Sequence, residues 1–307
     1  MKVLVVIALL AISTCIVESS TTDDSYLSSC NKFFYKSTAP KGFSSGSLKY
    51  ICQRYEGTFH FATLYDTSKR IPLYSAYTID EFPCSGKQPS RRSSWFIEPE
   101  LAGRDKSADM DADKESDHDW VMPTQAINDD YHDSGFDRGH LNPNFHHCGN
   151  DRTATFSLTN SIPQDPCFNR IVWYHIEVET LERMENSCAF DKAKRYIIVG
   201  AVPSADQRIP FNDTVIHDKP DKATGRVNVP EYSWSMSCCD ASDSNGAHQS
   251  SWSGVIAQNK AGGTVENFAS LVKMERRLQA LYGYKGAIKL LADGCGDGSA
   301  DTDQSFG

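Results

Sequence analysis

The chain has 307 residues, 39% of them hydrophobic, with 15 Phe, 13 Tyr and 5 Trp. That composition excludes a disordered or fibrous protein and is ample for a buried core. The net charge of −9 argues against a broad basic nucleic-acid surface. It leaves room for local, metal-assisted phosphate contacts, held weakly and sensitively to salt.

The chain opens with a basic Lys2, an apolar run over residues 3–12 and a small, weakly polar stretch over 13–20. This pattern predicts a secretory signal peptide at 1–20, its apolar run too short for a membrane anchor. No later segment is apolar for long enough to span a membrane as a helix. Export agrees with the cysteines: beyond Cys15 there are nine, scattered, with no C-x-x-C pair. Scattered cysteines in an exported chain become disulfides, and an odd number leaves one free or joined to another chain. Vicinal Cys238 and Cys239 are expected to reach two different partners. One pairing open to the rest is Cys148–Cys167. Asn212 begins a glycosylation sequon, Asn212-Asp213-Thr214.

Residues 21–293 read as one domain and 294–307 as a flexible tail. Residues 59–65 and 71–78, rich in aromatic and β-branched side chains around a turn signal at 66–68, predict a hairpin. Pro72 predicts that the second strand lies at an edge. The charged stretch 104–119 predicts a solvated loop. A calcium loop is the alternative, but its Asp-x-Asp-x-Asp-Gly order is missing. Residues 136–141 and 154–159 predict two further strands. Phe168, Val172 and Ile176 recur at four-residue spacing and predict a helix over 168–185. The apolar run 195–202 predicts a buried strand, 254–258 another strand, and 270–282 a second helix. The whole predicts an α+β fold with a mostly antiparallel sheet.

The chemistry concentrates in 136–177. Arg138 and His140 are two apart on a predicted strand, so they share a face. Asn169, Trp173 and Glu177 follow at i, i+4 and i+8, forming a polar stripe beside the helix's apolar one. His132, His146 and His147 are expected to be structural. The cluster of His140, His146, His147 and Cys148 lacks the second ligand group a zinc site needs.

Asp137-Arg138-Gly139-His140, then Leu158-Thr159-Asn160-Ser161-Ile162-Pro163-Gln164, then Asn169, Trp173 and Glu177 together resemble the ββα-metal nucleases of the DNA/RNA non-specific endonuclease family. The segments at Cys30-Asn31-Lys32-Phe33-Phe34, Ile51-Cys52-Gln53-Arg54-Tyr55 and Phe61-Ala62-Thr63-Leu64-Tyr65-Asp66 resemble one branch of it, the endonuclease domain-containing 1 proteins. The resemblance implies a ββα-metal motif and hydrolysis of DNA or RNA at the phosphodiester backbone. It implies His140 as general base, Asn169 as the direct ligand of magnesium (manganese being the alternative), and Glu177 as the carboxylate that orients a metal-held water. It implies Arg138 and Arg92 as phosphate contacts. None of these groups would read a base edge, so indifference to sequence is expected.

Two features depart from the pattern. The metal asparagine is followed by Arg170 where the family usually has Gln, which would either help hold phosphate or weaken metal binding. The protein is also acidic. A catalytically weak extracellular binding protein on the nuclease fold is therefore the competing expectation. A homodimer is the alternative to a monomer.

Overall fold

The computed structural model describes residues 27–85, 94–103, 105–189, 192–211, 224–242, 248–292 and 295. The signal peptide, Arg92, Asn212 and the tail other than Cys295 lie outside the described residues.

A seven-stranded antiparallel sheet forms the centre, in the order β1-β2-β3-β8-β9-β10-β11. Its strands are β1 (Leu48–Tyr55), β2 (Thr58–Asp66), β3 (Ile71–Thr78), β8 (Lys194–Ile209), β9 (Val227–Ser242), β10 (His248–Gln258) and β11 (Val265–Phe268). Two ribbons of two strands stand apart from it. One pairs β4 (Phe96–Ile97) with β5 (Asp111–Ala112), and the other pairs β6 (Asp137–His140) with β7 (Ser161–Gln164). The longer helices are α1 (Gly149–Ala154), α2 (Tyr174–Ser187) and α3 (Leu271–Tyr282).

Both faces of the sheet are covered, which explains why residues 195–202 read as a nearly continuous apolar run. Successive side chains on a strand point to opposite faces. Ile197, Val199 and Ala201 enter one core with Trp95, Phe156, Phe168 and Trp173. Tyr196, Ile198 and Val202 enter the other, with Trp234, Met274 and Leu278. The first core carries the ribbon β6–β7 and helix α2, whose Leu181 and Met184 are buried in it.

The predicted hairpin is β2–β3. Its turn is held by Asp66, whose Oδ1 accepts from the Ser68 amide at 2.9 Å and the Lys69 amide at 3.1 Å. The edge expectation for Pro72 needs correction, because β3 lies between β2 and β8. Pro72 is tolerated because β8 first pairs at Tyr74, opposite Gly200, so the missing N–H falls ahead of that ladder.

The strand expected over 154–159 is also corrected. Ala154 closes α1, Leu158–Asn160 is a 3₁₀ turn, and the strand that pairs with β6 is Ser161–Gln164. Side chains compete with the ladder here. The Asn160 amide donates to the carbonyls of Asn142 at 3.0 Å and Thr155 at 2.9 Å. Its Oδ1 accepts from Ser75 at 2.9 Å and from the Asn142 amide at 3.0 Å.

The helix expected over 168–185 is two structures. Phe168–Trp173 is π-helical and continues into α2. Asp165 starts it, accepting from the Phe168 amide at 2.9 Å. The charged stretch 104–119 is not wholly a loop. Met110 is buried, Asp111–Ala112 pairs with β4, and His118–Val121 forms a single helical turn.

Four disulfides link Cys30 to Cys52, Cys84 to Cys148, Cys188 to Cys239 and Cys238 to Cys295. The vicinal pair reaches two partners because neighbours on β9 face opposite sides. Cys148 bonds Cys84, which corrects the Cys148–Cys167 expectation. Cys167 is the exposed free cysteine among the described residues. No helix of the described residues is long and apolar enough to cross a membrane.

Candidate active site on the β6–β7 ribbon and helix α2

The ribbon's register sets Asp137 opposite Gln164, Arg138 opposite Pro163, Gly139 opposite Ile162 and His140 opposite Ser161. Gly139 is there for space. A Cβ on it would lie 1.9 Å from Oε1 and 2.3 Å from Cδ of Gln164. Gln164 cannot easily yield, because it is fully buried and donates to Ser233 Oγ at 3.1 Å. Ser233, Ser235 and Ser237 give β9 a face of small side chains, and Ser233 is where the ribbon docks through Gln164.

Arg138 and His140 share a face, as their spacing predicts, and both meet Trp95. The His140 ring lies 4.9 Å from the Trp95 ring, and Phe156 meets it edge-on at 5.1 Å. The Arg138 guanidinium sits 5.6 Å from the Trp95 centroid and 5.8 Å from that of Tyr131. Cation–π attraction on two sides narrows the positions this long side chain can take.

The other face of β6 anchors the helix. Asn169 donates its amide to Asp137 Oδ2 at 3.0 Å. Arg170 grips the same carboxylate twice, through Nε at 2.8 Å and a terminal nitrogen at 2.7 Å. Such a bidentate pair fixes both partners. With the nitrogen of Asn169 engaged, its carbonyl oxygen is the atom left to meet a ligand.

Glu177 lies two turns along from Asn169. Burial pushes its carboxyl well above the usual carboxylate range, and the neighbouring Trp173 indole pulls it partly back. The Trp173 ring is buried against Phe168 at 5.6 Å, so it belongs to the core and not to the polar stripe. His146 donates from Nε2 to the Glu177 carbonyl and accepts at Nδ1 from the Tyr77 hydroxyl, each at 3.0 Å. His147 bonds Asn142 Oδ1 at 2.6 Å. Burial lowers the pKa of His146 to about 3 and of His147 to about 4, so both are neutral structural groups.

Thus the fold brings Arg138 and His140 together on Trp95, and Asn169 and Arg170 together on Asp137. Trp95, Tyr131 and Phe156 were missed as site residues, since an aromatic in an irregular segment has no sequence signal for its neighbours. Asp137 is the one carboxylate of its motif, and strand alternation turns it to the face opposite His140. That was the available signal.

Residues 39–289 match the family described as DNA/RNA non-specific endonuclease. The chain belongs to this family. Among its relatives is the Endonuclease domain-containing 1 protein of Homo sapiens, 35% identical over 68% of this chain and 38% of the relative. The Mus musculus protein of that name is 30% identical over 90% of this chain and 49% of the relative. A protein named Nuclease from Nostoc sp. is 30% identical over 57% of this chain and 51% of its own length. The chain therefore spans less than half of the two mammalian relatives. A chain in a crystal structure of an EndoG/EndoGI complex matches with a TM-score of 0.43 at 17% identity, over 79% of this chain and 86% of that one. The α+β architecture and the ribbon followed by a helix suit a DNA/RNA non-specific endonuclease, as the motif spacing implied. Neither the fold nor these relatives support the homodimer expectation.

Proposed function

We propose that this chain is an exported, magnesium-dependent endonuclease that hydrolyses the backbone of DNA or RNA without sequence preference. The observation that carries the reading is the double use of β6. One face holds His140 and Arg138 against Trp95, and the other ties Asn169 to Asp137. The four disulfides support an oxidising destination. Asn212 is the proposed glycosylation site.

The residues fit a hard divalent cation that keeps most of its water. Asn169 offers one neutral oxygen, already oriented, and magnesium or manganese needs few protein ligands. A single hard oxygen donor of this kind suits such an ion better than it suits zinc, which takes Cys and His. When bound on Asn169, the ion neutralises charge on the phosphate and on the leaving oxygen.

His140 accepts the proton of the attacking water, for which a neutral imidazole near pH 7 is suited. Its aromatic slot keeps the ring from rotating away. Arg138, held between Trp95 and Tyr131, places positive charge on a phosphate oxygen. Glu177 orients water near Asn169. Asp137 fixes Asn169, and Arg170 acts through Asp137 while offering its exposed edge to phosphate. Arg92 supplies a further phosphate contact. No group in this set addresses a base edge.

Arg170 also favours a second reading. Its charge is engaged by Asp137 beside the metal asparagine, and the chain is acidic, as suits a weak or inactive binding protein. Incubating the purified mature protein with plasmid and with RNA separates the two. Cleavage that needs magnesium, stops with chelator and is lost in His140→Ala is the expected result. Wild type that cuts no faster than His140→Ala would sink the catalytic reading.

A further inference from the structure

We propose that Glu98 is a positioning residue for His140, acting through the two aromatic walls that hold the imidazole. The inference rests on the nuclease reading and extends it to a residue outside the motif.

The walls belong to different segments. Trp95 precedes β4, and Phe156 lies in the turn between α1 and β7. The Phe96 amide donates to the Phe156 carbonyl at 2.9 Å, joining the segments beside the His140 ring. Glu98 closes the same junction from within. Its Oε1 accepts from Ser157 Oγ at 3.0 Å, one residue past Phe156. The same oxygen accepts from Gln53 Nε2 at 2.6 Å, which ties the junction to β1 of the central sheet. Gln125 completes the clamp, donating to the Glu98 carbonyl and accepting from its amide, both at 2.8 Å. Gln53, Gln125, Ser157 and Glu98 are all buried.

A carboxyl is costly in such a place. It is only 3% exposed, and burial pushes its pKa up to about 8. Stability alone would favour a neutral or apolar side chain. What the carboxyl supplies is one acceptor reached from two segments at once. A satisfied buried network of this kind selects a single arrangement of the chains it joins. Here the chains it joins are those that present Trp95 and Phe156 to His140.

The test combines NMR and kinetics. The carbon-bound ring protons of His140 feel ring currents from Trp95 and Phe156, so their chemical shifts report the slot in the metal-free protein. Glu98→Ala is expected to move these shifts toward those of a solvent-exposed histidine. It should lower kcat on plasmid about ten- to a hundredfold, with KM little changed, because a displacement of about 1 Å can cost about 10²-fold. Glu98→Gln should restore both, since an amide oxygen still accepts from Gln53 and Ser157. Ser157→Ala, which removes one bond, covers the case in which Glu98→Ala does not fold, and should shift the ring protons in the same direction by less. Unmoved His140 signals in folded Glu98→Ala or Ser157→Ala, with only Tm lowered, would overturn the proposal. Should the wild type not cleave, the nuclease reading fails, and the ring-proton shifts still decide whether Glu98 positions His140.

Discussion

The side-chain amide of Asn169 donates to the Asp137 carboxylate at 3.0 Å, so the helix residue and the strand that carries His140 are held as one piece. The same carboxylate is gripped by Arg170. The arginine that departs from the family pattern and the carboxylate of the motif thus meet in one interaction.

Asp137→Ala should weaken metal use more than it weakens the fold. The bidentate partner of Arg170 is lost and Asn169 can rotate. Loss of a group that orients a metal ligand costs about 10- to 100-fold in metal affinity or activity. A magnesium titration of plasmid cleavage should show a higher half-saturating concentration. An unchanged titration would mean that the Asn169 tether has no bearing on the metal.

Arg170→Leu separates the two roles open to that residue. If Arg170 mainly neutralises Asp137, its removal leaves more negative charge beside Asn169. Half-saturation should then come at lower magnesium, with KM for plasmid nearly constant. A phosphate contact would instead appear as a raised KM and a shallower salt dependence of binding.

Gly139→Ala should destabilise by about 1–3 kcal/mol, the usual range for forcing atoms into a packed site. The added Cβ collides with Gln164, which is buried and bonded to Ser233. In a protein of this size each kcal/mol lowers Tm by about 1.5–2 °C. Combining it with Gln164→Ala should recover part of the loss. A Tm equal to wild type in the single variant would show that Gln164 moves freely.

Stability should peak between about pH 5 and 6. His146 and His147 have folded pKa values lowered to about 3 and about 4, below the unfolded value of about 6.5. Their stabilisation is full above about pH 6.5 and is lost as pH falls toward those folded values. Glu98 is raised to about 8, so its contribution is full below the unfolded value of about 4.3 and fades as pH rises toward 8. Glu177 is raised too and adds to the alkaline limb. One proton corresponds to about 1.4 kcal/mol per pH unit. Below about pH 5 the two histidines outweigh the two carboxyls, and above about pH 6 the carboxyls outweigh the histidines. Urea unfolding across this range should show the maximum, and Glu98→Gln should flatten its alkaline side. A wild-type stability still rising from pH 6.5 to 8 would contradict the assignment.

The legible part of the fold was whatever local periodicity controls. The β2–β3 hairpin, helix α3 and the apolar stretch of β8 appear close to where their residues predict. Strand β9 was missed because its alternating Ser233, Ser235 and Ser237 resemble a loop. Ser233 meets Gln164 of the ribbon and Ser237 bonds Ser253 of β10, contacts that small hydroxyl side chains can make. The second strand of the site was set five to seven residues early, since Asn160 and Ser157 turn apolar-looking sequence into hydrogen-bonded turns.

By itself the sequence determined the family, the shared face of Arg138 and His140, and the helix spacing of Asn169 and Glu177. These are matters of chain order and strand or helix period, which are local. Only the tertiary structure decided that Asp137 anchors Asn169 and Arg170, that Cys148 bonds Cys84, and that Trp95 and Phe156 enclose His140. Each of these joins side chains from separate elements, and their meeting depends on how sheet, ribbon and helix pack around one core.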